Sequence, residues 1–238
     1  MSPPPIAAAV LVAAGSSTRM GAGERKPFLR LAGRTIFEHA CAAFDACEAV
    51  HALVLVVHGD DVERVRQLAA TSPALAKVRA VVAGGAQRSD SVRIGIAATP
   101  ADCEWVLVHD AARALIRTAT ISAALATAVQ HGSALVAVPV RDTLKSAPDG
   151  EHASTTVDRS KLWAAQTPQV FRRADLAAWL ARAQAEGFSP TDDAALCERY
   201  VGPVPLVRGD DTNLKITTPD DLEIADAILS RRARSKDA

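Results

Sequence analysis

Five short runs along the chain are almost continuously apolar: Ile6 to Ala13, Leu53 to Val57, Val78 to Val82, Trp105 to Val108, and Leu135 to Val138. Runs of this length, rich in Val and Leu, suit strands covered on both faces of a sheet. Helical patterns lie between them. Thr35-Ile36-Phe37-Glu38 is a capping box and opens a helix through about Ala46. Asp60 to Ala70, Asp90 to Ala98 and Thr118 to Gln130 read the same way. Strand alternating with helix predicts an α/β fold on a doubly wound, mostly parallel sheet.

The alternation breaks after Pro139. Val140 to Val157 holds turn chemistry, Pro148-Asp149-Gly150, between two stretches rich in Thr, Val and polar residues. That pattern predicts a β-hairpin or extended arm at about 140–160. Two strands alone are marginal, so the arm should pack against something, and a second subunit is one candidate. Two helices follow, around Arg173 to Glu186 and Asp192 to Tyr200, then a short strand near Pro205 to Val207. Thr218-Pro219-Asp220-Asp221 opens the last helix with a capping Thr, Pro at the first helical position and acids in the first turn. The cations of the tail, Arg231, Arg232, Arg234 and Lys236, read as a frayed, solvated helix end. With no repeat and no low-complexity linker, residues 1–238 read as one domain with a protruding arm.

Composition narrows the function classes. At 238 residues the chain can bury a sizeable core, and 49% hydrophobic with 23% charged residues is the balance of a soluble globular protein. Lys plus Arg and Asp plus Glu are both 27, so there is no basic excess to support nucleic-acid binding. Any anion site has to be built locally. Cys41, Cys47, Cys103 and Cys197 have no Cys-x-x-Cys spacing and join no Cys/His cluster, so they read as buried thiols of a cytoplasmic protein. Met1 to Pro5 has neither the basic region nor the apolar run of a signal peptide, and charged residues interrupt every apolar stretch that could span a membrane.

One segment asks for a nucleotide. Leu11-Val12-Ala13-Ala14-Gly15-Ser16-Ser17-Thr18-Arg19-Met20-Gly21 runs from a strand into a loop of small residues, with Lys26 close behind. Small residues let backbone N–H groups approach a polyphosphate, and Arg plus Lys neutralise its charge. It is not a P-loop, since Gly21 is followed by Ala22, and it is not a dinucleotide fingerprint, since Ser17 and Met20 replace the second and third glycines. The competing view is a plain strand-to-helix turn.

Four further clusters sit where an open α/β sheet places its ligand. Ala83-Gly84-Gly85-Ala86-Gln87-Arg88-Ser89-Asp90-Ser91 could meet a flat ligand with its glycines and the Ser91 hydroxyl, or could be only a loop and helix cap. In Val108-His109-Asp110-Ala111-Ala112-Arg113, Asp110 could ligate Mg²⁺ or cap a helix, whereas His109 reads as a hydrogen-bonded, partly buried histidine. Pro139 to Lys145 and Thr156 to Arg159 could clamp a phosphorylated small molecule, or could carry only solvated ion pairs. In Asp210 to Thr217, Lys215 lies between Leu214 and Ile216, so in extended chain it faces away from them, into a cleft or into water.

Together these pieces resemble the 2-C-methyl-D-erythritol 4-phosphate cytidylyltransferase family, from Ala8 to Ile228. The segments that carry the resemblance are 13–21, 108–113, Val-Pro-Val-Arg-Asp-Thr-Leu-Lys at 138–145, Thr-Val-Asp-Arg-Ser-Lys-Leu-Trp at 156–163, Gln-Thr-Pro-Gln-Val-Phe at 166–171, and 213–222. Many nucleotidyltransferases share the first segment; the Arg-Asp-Thr, Val-Asp-Arg and Gln-Thr-Pro-Gln pieces, in this order, are far more specific. The resemblance implies a Rossmann-like nucleotidyltransferase sheet with a protruding β-arm and a homodimer that exchanges that arm. It also implies the reaction: CTP and 2-C-methyl-D-erythritol 4-phosphate give 4-diphosphocytidyl-2-C-methyl-D-erythritol and pyrophosphate, with Mg²⁺, in isoprenoid precursor synthesis.

Carried over position by position, the resemblance gives Arg19 and Lys26 the charge on the α-phosphate and leaving pyrophosphate. It gives the backbone of Ala13, Ala14 and Gly15 the triphosphate. Gly84, Gly85 and Ser91 would lie at the cytosine, and Asp110, with Ala111 beside it, at the Mg²⁺ and ribose. Arg159 and Lys215 would position the methylerythritol phosphate, with Arg113, Thr143 and Thr167 helping. The chain departs from the family pattern at Arg25 and Pro27 around the lysine, at Ala114, and at Ala86-Gln87. A ribitol 5-phosphate cytidylyltransferase and a nucleotide-binding regulator without catalysis are the alternatives. The regulator would have no use for the retained Arg19, Lys26, Asp110, Arg159 and Lys215.

Overall fold

The computed structural model describes residues 6–15 and 24–234. The chain opens with β1 (Ala7–Ala13), a small hairpin of β2 (Arg30–Leu31) and β3 (Arg34–Thr35), and helix α1 (Ile36–Asp45). Strand β4 (Ala52–Val57), α2 (Val62–Thr71), β5 (Val78–Ala83), α3 (Arg88–Ala97), β6 (Trp105–Asp110), α4 (Thr118–His131) and β7 (Ser133–Pro139) follow. A second hairpin, β8 (Leu144–Ser146) with β9 (Thr155–Val157), precedes β10 (Trp163–Arg172), α5 (Arg173–Glu186), α6 (Ala194–Tyr200), β11 (Leu206–Arg208) and α7 (Pro219–Arg234).

The main sheet has seven strands in the order β11-β7-β10-β6-β1-β4-β5. Every neighbouring pair is parallel except those of β10, which runs antiparallel to β6 and β7. The doubly wound, mostly parallel sheet is therefore as the pattern predicts. Strand β10 is the element it misses. Gln166, Thr167 and Gln169 interrupt its apolar positions, yet all three are buried, and its register to β7 shifts between Ala165 and Gln169.

The apolar runs divide by parity, as period-two side chains must. Ala7, Ala9 and Leu11 of β1 join Leu53 and Leu55 of β4 and Leu107 of β6 under α1 and α4, through Phe37, Phe44, Ile121 and Leu125. Val10, Val54, Val56, Val106 and Val108 face the other way, onto Val92 and Ile96 of α3 and Leu176 and Leu180 of α5. The expected capping box at α1 is present in full, with Thr35 Oγ1 accepting from the Glu38 amide at 3.1 Å.

Strand order reverses beside β1. The chain goes from β1 to β4 and β5 on one side, then crosses to β6 on the other. The crevice at the carboxyl ends of β1 and β6 is where this kind of sheet receives a ligand. The tail differs from its sequence reading: the Arg232 guanidinium donates to Leu115 O at 2.9 Å and Thr212 Oγ1 at 2.6 Å, so the last described turns of α7 are docked. Residues 235–238 lie outside the described residues.

Candidate active site

At that crevice lies a cavity of about 500 Å³. Ala13, Ala14 and Gly15 line it where β1 ends, Asp110 and Ala111 where β6 ends, and Gly85, Arg88 and Ser91 where β5 leads into α3. Lys26 and Lys215 complete the charged part of its wall. The fold thus gathers most of the sequence-predicted positions from segments far apart in the chain. Arg19 lies outside the described residues.

Gly84 sits just behind the wall. A Cβ there would be 2.3 Å from Ala14 Cβ and 2.7 Å from Ser91 Oγ, so no side chain fits between the β5 loop and the β1 loop. The Ser91 hydroxyl is already used: it donates to Gln87 O at 3.2 Å and accepts from the Gly85 amide at 3.1 Å. In this geometry Ser91 shapes the 84–87 loop from within.

Asp110 is the electrostatic centre. Its Oδ1 accepts from Arg88 Nε at 3.1 Å and its Oδ2 from Lys215 Nζ at 2.7 Å. Burial alone would raise the carboxyl, but the two cations outweigh it and hold Asp110 well below the usual carboxylate range. The alternative of a helix cap is excluded, because Asp110 ends β6 and α4 starts only at Thr118. Arg88 also reaches Asp193 at 2.9 Å, and full burial pushes the Asp193 carboxyl up despite that partner. Sequence reasoning did not single out Arg88. Its signal was a cation in the first turn of a helix, against the dipole.

Lys215 points into the crevice because its neighbours anchor the loop. Ile216 is fully buried beside Leu31, Ile36 and Leu115, with Leu214 packed against them. The Ile216 amide donates to Ala112 O at 2.9 Å, zipping the 213–216 loop onto the residues after β6. Arg113 fastens the same loops from below, donating to Asn213 O at 2.8 Å and Ala165 O at 3.2 Å. Of the two readings for Lys215, cleft or water, the cleft is the observed one.

His109 is fully buried rather than partly so. Its Nε2 is 3.2 Å from Arg113 O and its Nδ1 is 2.8 Å from Thr167 Oγ1. A carbonyl only accepts, so Nε2 carries the proton, and Nδ1 accepts from the Thr167 hydroxyl. Thr167 Oγ1 in turn accepts from the Asp110 amide at 3.1 Å. Burial keeps the imidazole neutral, pulling its pKa down to about 4. Thr167 is therefore buried with its proton committed, beneath the cavity rather than in its lining.

Thr143 and Arg159 are exposed around the β8–β9 hairpin and do not line the cavity of this chain. Leu144 and Val157 face each other across that hairpin, both 37% exposed. Asp110 is the cavity's one carboxylate among the described residues, which contain no group of three His, Cys, Asp or Glu arranged to hold a metal. Mg²⁺ is commonly held by one or two carboxylates together with substrate phosphates. The donor set fits a cation that enters with a triphosphate.

The family model for 2-C-methyl-D-erythritol 4-phosphate cytidylyltransferase matches residues 7–231. The chain belongs to this family. The Bacillus licheniformis enzyme of that name is 41% identical over 227 residues, 95% of this chain and 97% of that one. The Symbiobacterium thermophilum enzyme of the same name is 42% identical over 226 residues, covering 94% of this chain and 93% of that one. A crystal structure of 4-diphosphocytidyl-2C-methyl-D-erythritol synthase from Anaerococcus prevotii superposes with a TM-score of 0.84 at 26% identity, covering 95% and 96% of the two chains. Membership in the cytidylyltransferase family makes the chain a nucleotidyltransferase. Among the described residues no helix is long and apolar enough to cross a membrane.

Proposed function

We infer that this chain transfers the cytidylyl group of CTP to 2-C-methyl-D-erythritol 4-phosphate, forming 4-diphosphocytidyl-2-C-methyl-D-erythritol and pyrophosphate. The observation that carries the reading is the Asp110–Lys215 pair at the lip of a cavity walled by Ala13, Ala14, Gly15 and Lys26. Such a cavity offers backbone and cations to a triphosphate on one segment and a further cation to a second anion.

The chemistry needs little beyond that. A phosphate oxygen of the acceptor attacks the α-phosphorus of CTP in line, and the bond to the leaving pyrophosphate breaks. The attacking phosphate is already ionised near neutral pH, so no general base is required. This agrees with the buried, neutral His109 facing Thr167 and Arg113. The barrier is dominated by repulsion between two anions and by alignment. Lys26 and, by sequence, Arg19 offset the charge on the α-phosphate and pyrophosphate. Lys215 positions the acceptor phosphate, and Asp110 fixes Lys215 in turn. Asp110 is also the residue that would hold Mg²⁺, which when bound screens the triphosphate and polarises its phosphorus.

Gly84, Gly85 and Ser91 form the base end, where the two glycines let the backbone of the β5 loop come close to a flat ring. Thr143 and Arg159 act from the arm, and the exposed Leu144 and Val157 give that arm an apolar face for a second copy of the chain. We therefore assign a homodimer, with Arg159 reaching the partner's cleft. Arg113 and Thr167 support the floor. Four buried free thiols suit the cytoplasm. Turnover of CTP with methylerythritol phosphate and with ribitol 5-phosphate tests the acceptor: faster reaction with ribitol 5-phosphate would replace it.

A further inference from the structure

Lys26 sits at the start of a short 3-10 turn, Lys26–Phe28, whose preceding residue is Arg25. The Arg25 guanidinium spans two adjacent carboxylates: Nη1 lies 2.8 Å from Asp61 Oδ1 and Nη2 lies 2.5 Å from Asp60 Oδ2. Those acids follow β4 on a turn that is itself fixed, with the Asp61 amide donating to His58 O at 2.9 Å and the Asp60 amide to the His58 ring at 3.3 Å. His58 lines the same cavity as Lys26. On either side of Arg25 the segment is tied to the helix that follows that turn, α2: Glu24 pairs with Arg64 at 2.6 Å, and the Arg64 guanidinium lies 3.8 Å over the Phe28 ring. Arg25 O also accepts the Phe28 amide at 2.9 Å, closing the turn that carries Lys26.

We propose that Arg25 is a positioning residue for Lys26, clamping the Lys26 turn to the end of β4 through its fork onto Asp60 and Asp61. The inference rests on the assignment of Lys26 to the triphosphate made above. A single exposed ion pair would contribute little to stability. A guanidinium shared by two adjacent carboxylates instead fixes a direction, because its donors are rigid relative to one another. The clamp has a second effect. Asp60 and Asp61 follow His58, which lines the cavity, and Arg25 offsets one of their two negative charges close to the proposed triphosphate site. Asp61 is buried, so its carboxylate has a fixed place from which to pull.

The test is a double-mutant cycle on Arg25 and Lys26, read by steady-state pyrophosphate release and by thermal unfolding. Arg25→Ala lowers kcat/KM for CTP about tenfold or more, leaves KM for the acceptor unchanged, and barely moves the melting temperature. Arg25→Lys recovers part of the loss, since it keeps the charge and not the fork. In the Lys26→Ala background, Arg25→Ala adds less than about a twofold further loss. An Arg25→Ala enzyme with wild-type kinetics beside a strongly impaired Lys26→Ala enzyme would overturn the clamp alone. Losses that multiply across the cycle, or a lowered melting temperature with unchanged kinetics, would overturn it too. A fully active Lys26→Ala enzyme would remove both the clamp and the role of Lys26.

Discussion

Lys215 Nζ lies 2.7 Å from Asp110 Oδ2, although 105 residues separate the two along the chain. The contact joins the loop before α7 to the carboxyl end of β6. It sets a cation at the cavity beside the one carboxylate that lines it among the described residues. Removing Lys215 tests what the pair is for.

Lys215→Ala lowers turnover by about a hundredfold or more, while CTP binding measured by calorimetry stays within a few-fold of wild type. The carboxyl of Asp110, left with Arg88 alone, titrates at higher pH. Collapse of CTP binding instead would move Lys215 to the nucleotide half of the site.

Arg88 pairs with both Asp110 and Asp193, and Asp193 has almost no access to water. Arg88→Ala strands a buried carboxylate and should cost about 3 kcal/mol in urea unfolding. Adding Asp193→Asn recovers much of it. An Arg88→Ala protein as stable as wild type would show that the triad carries no structural weight.

His109 ties stability to pH. Its folded pKa is pulled down to about 4 by burial, whereas an unfolded histidine titrates near 6.5. Between those values the unfolded chain binds more protons, so stability rises with pH through that window and levels off above it. From pH 7.5 down to pH 5 the loss from this group is about 2 kcal/mol. His109→Asn keeps an acceptor where Nδ1 faces Thr167 and removes this part of the slope. Equal slopes for the two proteins in denaturant titrations would refute the assignment.

The arm predicts complementation. Lys26→Ala and Arg159→Ala chains, each strongly impaired alone, are mixed, unfolded and refolded together. If Arg159 serves the partner's cleft, half the dimers are mixed and each has one intact site, giving about a quarter of wild-type activity. No recovery in a mixture shown to be dimeric would place Arg159 in its own chain's site.

The hydrophobic pattern made the parallel part of the sheet legible, because β1, β4 and β6 are buried on both faces and read as unbroken apolar runs. Strand β10 was not legible. Its buried positions Gln166, Thr167 and Gln169 are polar, satisfied by partners remote in sequence: Asn213 for Gln166, His109 for Thr167, and Asp192 and Ala194 for Gln169. The site was legible wherever a short motif ends a strand, as at Asp110, or where parity fixes a direction, as at Lys215 between Leu214 and Ile216. Arg88 was harder, since its role depends on two acids 22 and 105 positions away in sequence coming to one place. The tail arginine Arg232 was misread for the same reason: its acceptors, Leu115 and Thr212, belong to other loops.

The central claim is that this cavity joins two substrates rather than merely holding a nucleotide. The direct measurement is pyrophosphate release from CTP in the presence and absence of 2-C-methyl-D-erythritol 4-phosphate, with the cytidylylated product quantified in parallel. The account predicts release only when the acceptor is present, one pyrophosphate for each 4-diphosphocytidyl-2-C-methyl-D-erythritol formed. Tight CTP binding with no acceptor-dependent pyrophosphate would contradict it and leave a nucleotide-binding regulator in its place.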